Sequence, residues 1–183
     1  SLGVKADGLI YVAGTLALLE AMRDGGVERI VFSSTAAVFG ETSEMPLAET
    51  AALAPASPYA TTKLAVERML ADFARAHGLR HVALRYFNAA GASADGAHGE
   101  HREPETHLVP IVLQTLLGLR DRLNVYGHDF ATPDGTCLRD YVHVADLADA
   151  HVKALAALEA GAASTQYNVG TGRPWSVKEV IDT

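Results

Sequence analysis

The sequence predicts an α/β domain built around a mostly parallel sheet, and three observations carry that prediction. Short β-branched or aromatic runs alternate with helical patterns along the 183 residues. Runs such as "IVF" (Ile30 to Phe32) are continuously apolar, as strands buried on both faces tend to be. The composition is 49% hydrophobic and 20% charged, enough apolar material to bury a core.

Each element follows from its own pattern. "GTLALLEAMRDGG" (Gly14 to Gly26) sets Leu16, Leu19, Ala21 and Met22 at helical spacing and stops at Gly-Gly. "RIVFSS" (Arg29 to Ser34) reads as a buried strand, and residues 40–56 as a polar loop. A helix is predicted from Pro58, allowed in the first turn, to His77, with Gly78 as its stop. "HVALRYF" (His81 to Phe87) is the next strand, followed by a Gly/Ala/Ser/His-rich loop from Asn88 to Thr106. "HLVPIVLQTLLGL" reads as a helix with Pro110 near its start, "LNVYG" (Leu123 to Gly127) as a short strand and "ATPDGT" as a turn. "CLRDYVHV" is extended, "ADLADAHVKALAALEAG" is a long helix with a Gly stop, and "QYNVG" is a strand. "SVKEVIDT" begins a helix with Ser176 as N-cap. No internal repeat stands out.

Charge and composition narrow the partners. A net charge of −7 draws the chain to neither nucleic acid nor an anionic membrane surface. No run of about 18 apolar residues is present, so no membrane span is expected. The single cysteine, Cys137, forms no internal disulfide, and a reducing, cytoplasmic setting is the expectation. The chain opens without a first strand or a leader and stops inside a helical pattern, so a longer parent protein is expected.

In parallel sheets ligands bind at the carboxyl ends of the strands, which directs attention to the residues after "IVF" and "VALRYF". Ser33, Ser34 and Thr35 place hydroxyls there, able to bind a cofactor or donate to a substrate oxygen. The plain alternative is that they only end a strand. Downstream, Tyr59 and Lys63 stand four residues apart at the mouth of a helix. Such a pair shares one helix face, and a nearby ammonium favours the phenolate, which turns tyrosine into a usable base. Tyr-x-x-x-Lys is common by chance, so alone it reads more readily as two ordinary surface side chains. The hydroxyl cluster upstream is what raises it. Arg139 offers bidentate donors suited to a pyrophosphate, against the alternative of a surface ion pair with Asp140 or Asp146.

Six stretches in order, "VFSSTAAVFG", "SPYATTKLAVE", "LRYFNAAGA", "PETHLVP", "LRDYVHVADLADAH" and "YNVGTG", resemble the extended short-chain dehydrogenase/reductases over nearly all of residues 12–183. The resemblance implies a Rossmann-like, doubly wound sheet that holds NAD and a smaller domain that holds a nucleotide sugar. It assigns residues 1–88 and 142–170 to part of the NAD-binding domain, and 89–141 and 171–183 to part of the sugar-nucleotide domain. It implies Tyr59 as base, Lys63 as its activator and Thr35 as the hydroxyl on the reacting sugar oxygen. Ser33, Thr35, Tyr59, Lys63, Tyr86 and Phe87 fall to the cofactor. Thr35, Tyr59, Asn88, His107, Leu108, Asn124, Val125, Tyr126 and Arg139 fall to the substrate. The implied reaction inverts C4 of a UDP-hexose: Tyr59 takes the 4-hydroxyl proton, the C4 hydride leaves to NAD, and the 4-ketosugar turns over before both return. A related UDP-pentose or UDP-N-acetylhexosamine epimerase, a dehydratase, or a non-catalytic nucleotide-sugar-binding fragment are the alternatives. Ala36 and Ala37 occupy the places after Thr35 where a dehydratase usually carries an acidic pair. The resemblance also implies a homodimer, with the helices at 14–24 and 58–77 as its candidates.

Several features depart from the pattern. No G-x-x-G-x-x-G follows a strand, Ile10 stands where the family usually has Asn, and Phe39 replaces a Tyr. Trp175 stands where the family often has a smaller residue. The loop "GAHGEHREPETH" holds His98, His101 and His107 among carboxylates in no zinc pattern, so no metal is expected and a substrate loop is preferred. Cys137 is expected to be a packing residue, not a nucleophile.

Overall fold

The computed structural model describes residues 8–41 and 46–183, so residues 42–45 of the expected 40–56 loop, and all before Gly8, lie outside the described residues. A π-helical turn, Gly8–Ala13, runs into helix α1, Gly14–Asp24. Strand β1, Arg29–Thr35, is followed by a 3-10 turn, Ala36–Phe39. Helix α2 spans Pro58–His77 and strand β2 Arg80–Tyr86. Then come β3, Asn88–Ala90, α3, Leu108–Leu116, β4, Leu138–His143, and α4, Val144–Glu159. Strands β5, Thr165–Val169, and β6, Pro174–Ser176, and helix α5, Val177–Asp182, complete the order.

The chain divides into two compact units, Ser1–Phe87 with Ala148–Val169, and Asn88–Leu147 with Gly170–Thr183. The first carries a parallel sheet in the order β1-β2-β5, with Ser34 opposite Arg85 and Thr35 opposite Tyr86. Strand β2 is buried on both faces from His81 to Arg85, as its continuous apolar run requires. Two apolar clusters pack on the sheet and a third joins residues outside its strands. One joins Leu19 and Met22 of α1 to Val66 and Leu70 of α2, and a second sets Val82 and Leu84 of β2 against Ala154 and Leu158 of α4. In the third, Val38 and Phe39 meet Leu64 of α2.

Helix α2 shows why its ends were readable. Ser57 Oγ accepts the Ala60 amide at 3.2 Å, Pro58 takes the first turn, and Gly78 closes the helix at φ 74°, where a side chain would be strained. In the second unit β3 pairs parallel with β4, and β4 pairs antiparallel with β6. Ser176 caps α5 in a reciprocal capping box with Glu179.

Two expectations are corrected. "LNVYG" forms no strand: no neighbouring strand pairs with it, and Val125 and Tyr126 stand 48% and 83% exposed. The three-residue strands β3 and β6 lie in stretches too short to show a period.

Candidate functional site

The carboxyl end of β1 and the first turns of α2 assemble the expected residues of the first unit. Helix α2 lays Tyr59, Lys63 and Glu67 along one stripe at four-residue steps. Lys63 is 7% exposed, and its Nζ donates to the Ser33 carbonyl at 2.9 Å. Three aromatic rings surround that ammonium, Tyr11 at 4.4 Å from the ring centroid, Phe32 at 5.0 Å and Tyr59 at 5.7 Å. Burial holds the Lys63 pKa below the ordinary lysine range. Tyr59 is 37% exposed at the rim and meets the Tyr11 ring edge-on, with centroids 5.7 Å apart. The base candidate is therefore reachable, and its neighbouring cation is desolvated, where a charge acts most strongly.

The hydroxyls divide their roles. Ser33 Oγ is 2.9 Å from Nε2 of His151 on α4, while the Ser33 carbonyl serves Lys63. Thr35 Oγ1 accepts the Ala37 amide at 3.2 Å and so caps the 3-10 turn. The Ser34 hydroxyl donates to Glu67, whose carboxylate also holds Arg85. Tyr86 ends β2 and Phe87 follows it, with the Phe87 amide on the Val169 carbonyl at 3.3 Å. Gly40 at φ 69° turns the chain after the 3-10 turn, and a Cβ there would meet the Ala54 carbonyl oxygen. Tyr11, His151, Glu67 and Arg85 were missed in the sequence. Their only signal was polarity on elements otherwise apolar.

The remaining expected residues belong to the second unit. Asn88 Nδ2 donates to the Asp140 carbonyl at 3.0 Å. His107 is the N-cap residue of α3, its ring bonds Glu100, and Leu108 opens the helix half-buried. Glu105 Oε1 accepts the amides of Thr106 and His107 at 2.7 and 2.8 Å, which hold its carboxyl below the usual range, the His107 amide foremost. The ligand atoms of Glu100, Glu105 and His107 lie within 4.8 Å of one another. Glu105, however, is engaged in starting α3. Arg139 stands exposed on β4 opposite Trp175. The alternative of an ion pair with Asp140 or Asp146 is absent among the described residues. Asp140 instead accepts the Thr171 and Gly172 amides at 2.9 and 2.8 Å. A cavity of about 490 Å³ lined by Arg120, Asp121, Arg122 and Asn124 touches one expected residue, Asn124. Cys137 is half-buried and unpaired by disulfide.

Comparison with known proteins bears on the family and the fold. Residues 6–170 match the NAD dependent epimerase/dehydratase family. A UDP-glucose 4-epimerase of Lacticaseibacillus casei is 50% identical over 169 residues, 92% of this chain and 51% of that protein. One from Streptomyces lividans is 51% identical over 172 residues, 94% of this chain and 51% of that protein. The crystal structure of UDP-glucose 4-epimerase from Brucella ovis in complex with NAD superposes with a TM-score of 0.91 at 49% identity, covering 94% of this chain and 53% of that one. The enzyme from Stenotrophomonas maltophila, with bound NAD and formylated UDP-arabinopyranose, gives a TM-score of 0.90 at 44% identity, covering 93% and 52%. The chain thus spans about half the length of the curated relatives it matches.

Proposed function

Because the chain belongs to the NAD dependent epimerase/dehydratase family, we propose that it supplies the proton-transfer site and part of the sugar-nucleotide site of a UDP-hexose C4 epimerase that uses NAD. The observation that supports this most directly is the buried Lys63 ammonium, seated on Ser33 and ringed by Tyr11, Phe32 and the rim residue Tyr59. A desolvated cation there has the chemistry to hold a phenol ready to lose its proton at neutral pH.

The donor set suits the ribose and nicotinamide end of a dinucleotide: Ser33 offers a hydroxyl near the end of a parallel strand, and Tyr59 and Lys63 offer a hydroxyl and an ammonium from the first turns of α2. Tyr86, which ends the neighbouring strand, and Phe87 just after it belong to the same proposed cofactor contact. When bound, the cofactor supplies a hydride acceptor that becomes the donor of the return step. Tyr59 removes the proton of the sugar 4-hydroxyl and later gives it back, so it ends each cycle as it began. Thr35 orients that oxygen. Lys63 stabilises the phenolate between the two transfers.

In this reading the first unit is part of the NAD-binding domain and the second part of the sugar-nucleotide domain. Asn88, His107, Leu108, Asn124, Val125, Tyr126 and Arg139 contact the UDP-sugar, with the Arg139 guanidinium on a phosphate oxygen. A homodimer through α1 and α2 is part of the same proposal, supported by Leu16 and Leu18 standing 40% and 52% exposed on α1. A cytoplasmic setting is supported by the lone free Cys137. No described helix is long and apolar enough to cross a membrane.

The test is interconversion of UDP-glucose and UDP-galactose by the full-length protein with NAD, with Tyr59→Phe beside it. Tyr59→Phe is expected to lower kcat by about 10²–10⁴-fold with UDP binding retained. Wild-type protein that interconverts no UDP-hexose overturns the activity. A Tyr59→Phe enzyme of near-normal kcat overturns the mechanism. Sedimentation of the same protein checks the dimer.

A further inference from the structure

The stripe of α2 that carries Tyr59 and Lys63 continues into Glu67. Side chains four residues apart on a helix lie within reach of one another, so Glu67 is a ready ion-pair partner for Lys63. Such a pair would neutralise the ammonium beside Tyr59. No ion pair joins them among the described residues. Glu67 is fully engaged elsewhere. Arg85 Nη2 donates to its Oε2 at 2.6 Å, Arg85 Nε reaches both carboxylate oxygens at 3.1 and 3.3 Å, and the Ser34 hydroxyl donates to Oε1. Ser34 and Arg85 are register partners on β1 and β2, so both side chains emerge on the face that α2 covers. The three residues are 0%, 6% and 3% exposed in the order Ser34, Glu67, Arg85.

A buried ion pair is weak evidence of stabilisation, because apolar residues of similar volume serve a core as well. We infer that Arg85, assisted by Ser34, is a positioning residue that holds the Glu67 carboxylate away from Lys63, so that the Lys63 charge stays directed at the Ser33 carbonyl and Tyr59. This inference rests on the reading of Tyr59 as the base. The surrounding groups leave Arg85 as the one able to do it. Facing Lys63 are Tyr11 from the π-helical turn, Phe32 and the Ser33 carbonyl from β1, and Tyr59 from α2 itself. Facing Glu67 are Ser34 from β1, and Arg85 and His81 from β2. His81 is 3% exposed, and its burial holds the imidazole below its ordinary pKa despite Glu67, so it brings no counter-charge at neutral pH. On the far side Arg85 Nη1 donates to the Glu49 carbonyl at 3.2 Å. His151 of α4 meets the Ser33 hydroxyl.

The test compares wild type, Arg85→Met and the double variant Arg85→Met/Glu67→Gln in the full-length protein with NAD. Two readouts are taken on each, the pH profile of kcat for UDP-galactose and the near-ultraviolet titration of the Tyr59 phenol, obtained by difference against Tyr59→Phe. In Arg85→Met the freed Glu67 turns to Lys63, so the acidic limb and the Tyr59 titration both move up by about one pH unit. At a pH below the limb kcat then falls about tenfold. In the double variant no carboxylate remains to quench Lys63, and both readouts return to within about 0.3 unit of wild type, well inside the one-unit effect expected of an opposite charge. An unmoved limb in a folded Arg85→Met protein overturns the inference, whatever happens to KM or thermal stability. Should Arg85→Met not fold, Arg85→Gln takes its place, its uncharged amide unable to hold both carboxylate oxygens: an upward shift of the Tyr59 titration supports the inference and an unmoved one overturns it. The Tyr59 titration needs no turnover, so a protein without epimerase activity sinks the functional reading while the positioning role is still decided.

Discussion

Lys63 sets one buried ammonium among three rings in the first unit. Its folded pKa lies below 10.5, so between the two values the folded state binds fewer protons than the unfolded one. Stability therefore rises with pH through that window, and the cost of the buried charge is present in full below the folded pKa. Lys63→Met keeps the stem and drops the charge. It is expected to hold the unfolding free energy at pH 7 within about 1.5 kcal/mol of wild type by urea denaturation, as volume-conserving swaps do. In the same protein kcat is expected to fall about tenfold or more, since each unit added to the Tyr59 pKa is a factor of ten in phenolate at a pH below it. Tyr59, Lys63 and Thr35 stood out as candidates in the sequence because a helix mouth and a strand end placed them in one region, where the spacing of Tyr59 and Lys63 alone meant little. Glu67 and Arg85 did not. A charge inside "VALRYF" and another on a buried helix stripe are separate oddities until the fold brings positions 18 residues apart into one ion pair.

Helix α2 is the element that positions this site, and its stability is local at both ends. Ser57→Ala removes the cap on Ala60 and is expected to cost about 0.5–2 kcal/mol in chemical denaturation. Leu70, 0% exposed against Leu19, Met22 and Val66, is held by tertiary packing, so Leu70→Ala is expected to cost about 2–5 kcal/mol. The contrast between α2 and "LNVYG" shows which elements a sequence discloses. Helix α2 has its own punctuation in Pro58 and Gly78 and twenty residues of period. "LNVYG" has strand-forming residues but no neighbour to pair with, and β propensity is an expression of neighbours more than of the chain itself. Strands β3 and β6 invert the case: they have partners in β4 but only three residues each.

Across the whole molecule the apolar core is unequally shared. The three clusters lie in the first unit, whereas Val142 and Leu147 are the buried apolar side chains found in the second among the described residues. Helix α3 buries none of its own, with Leu113 and Leu116 at 53% and 77% exposure. Amide exchange is expected to be slowest at Val82, Ala83 and Leu84 of β2 and faster throughout β3, β4 and β6, with mass spectrometry or NMR as the check. Equal protection of the two units would contradict this. The alternation of strands and helices disclosed the parallel sheet, because each βα step carries its own period. The mixed pairing of β4 was hidden, since one strand gives no sign of which neighbours run with it and which against it.

Strand β1 lies at the end of the order β1-β2-β5, with a neighbour on one side only among the described residues. Its outer row of peptide groups is a template for any extended chain, and Ile30 to Phe32 are β-formers without a charge among them to repel one. The strand whose end carries Ser33, Ser34 and Thr35 therefore keeps one edge open to pairing with a further extended segment.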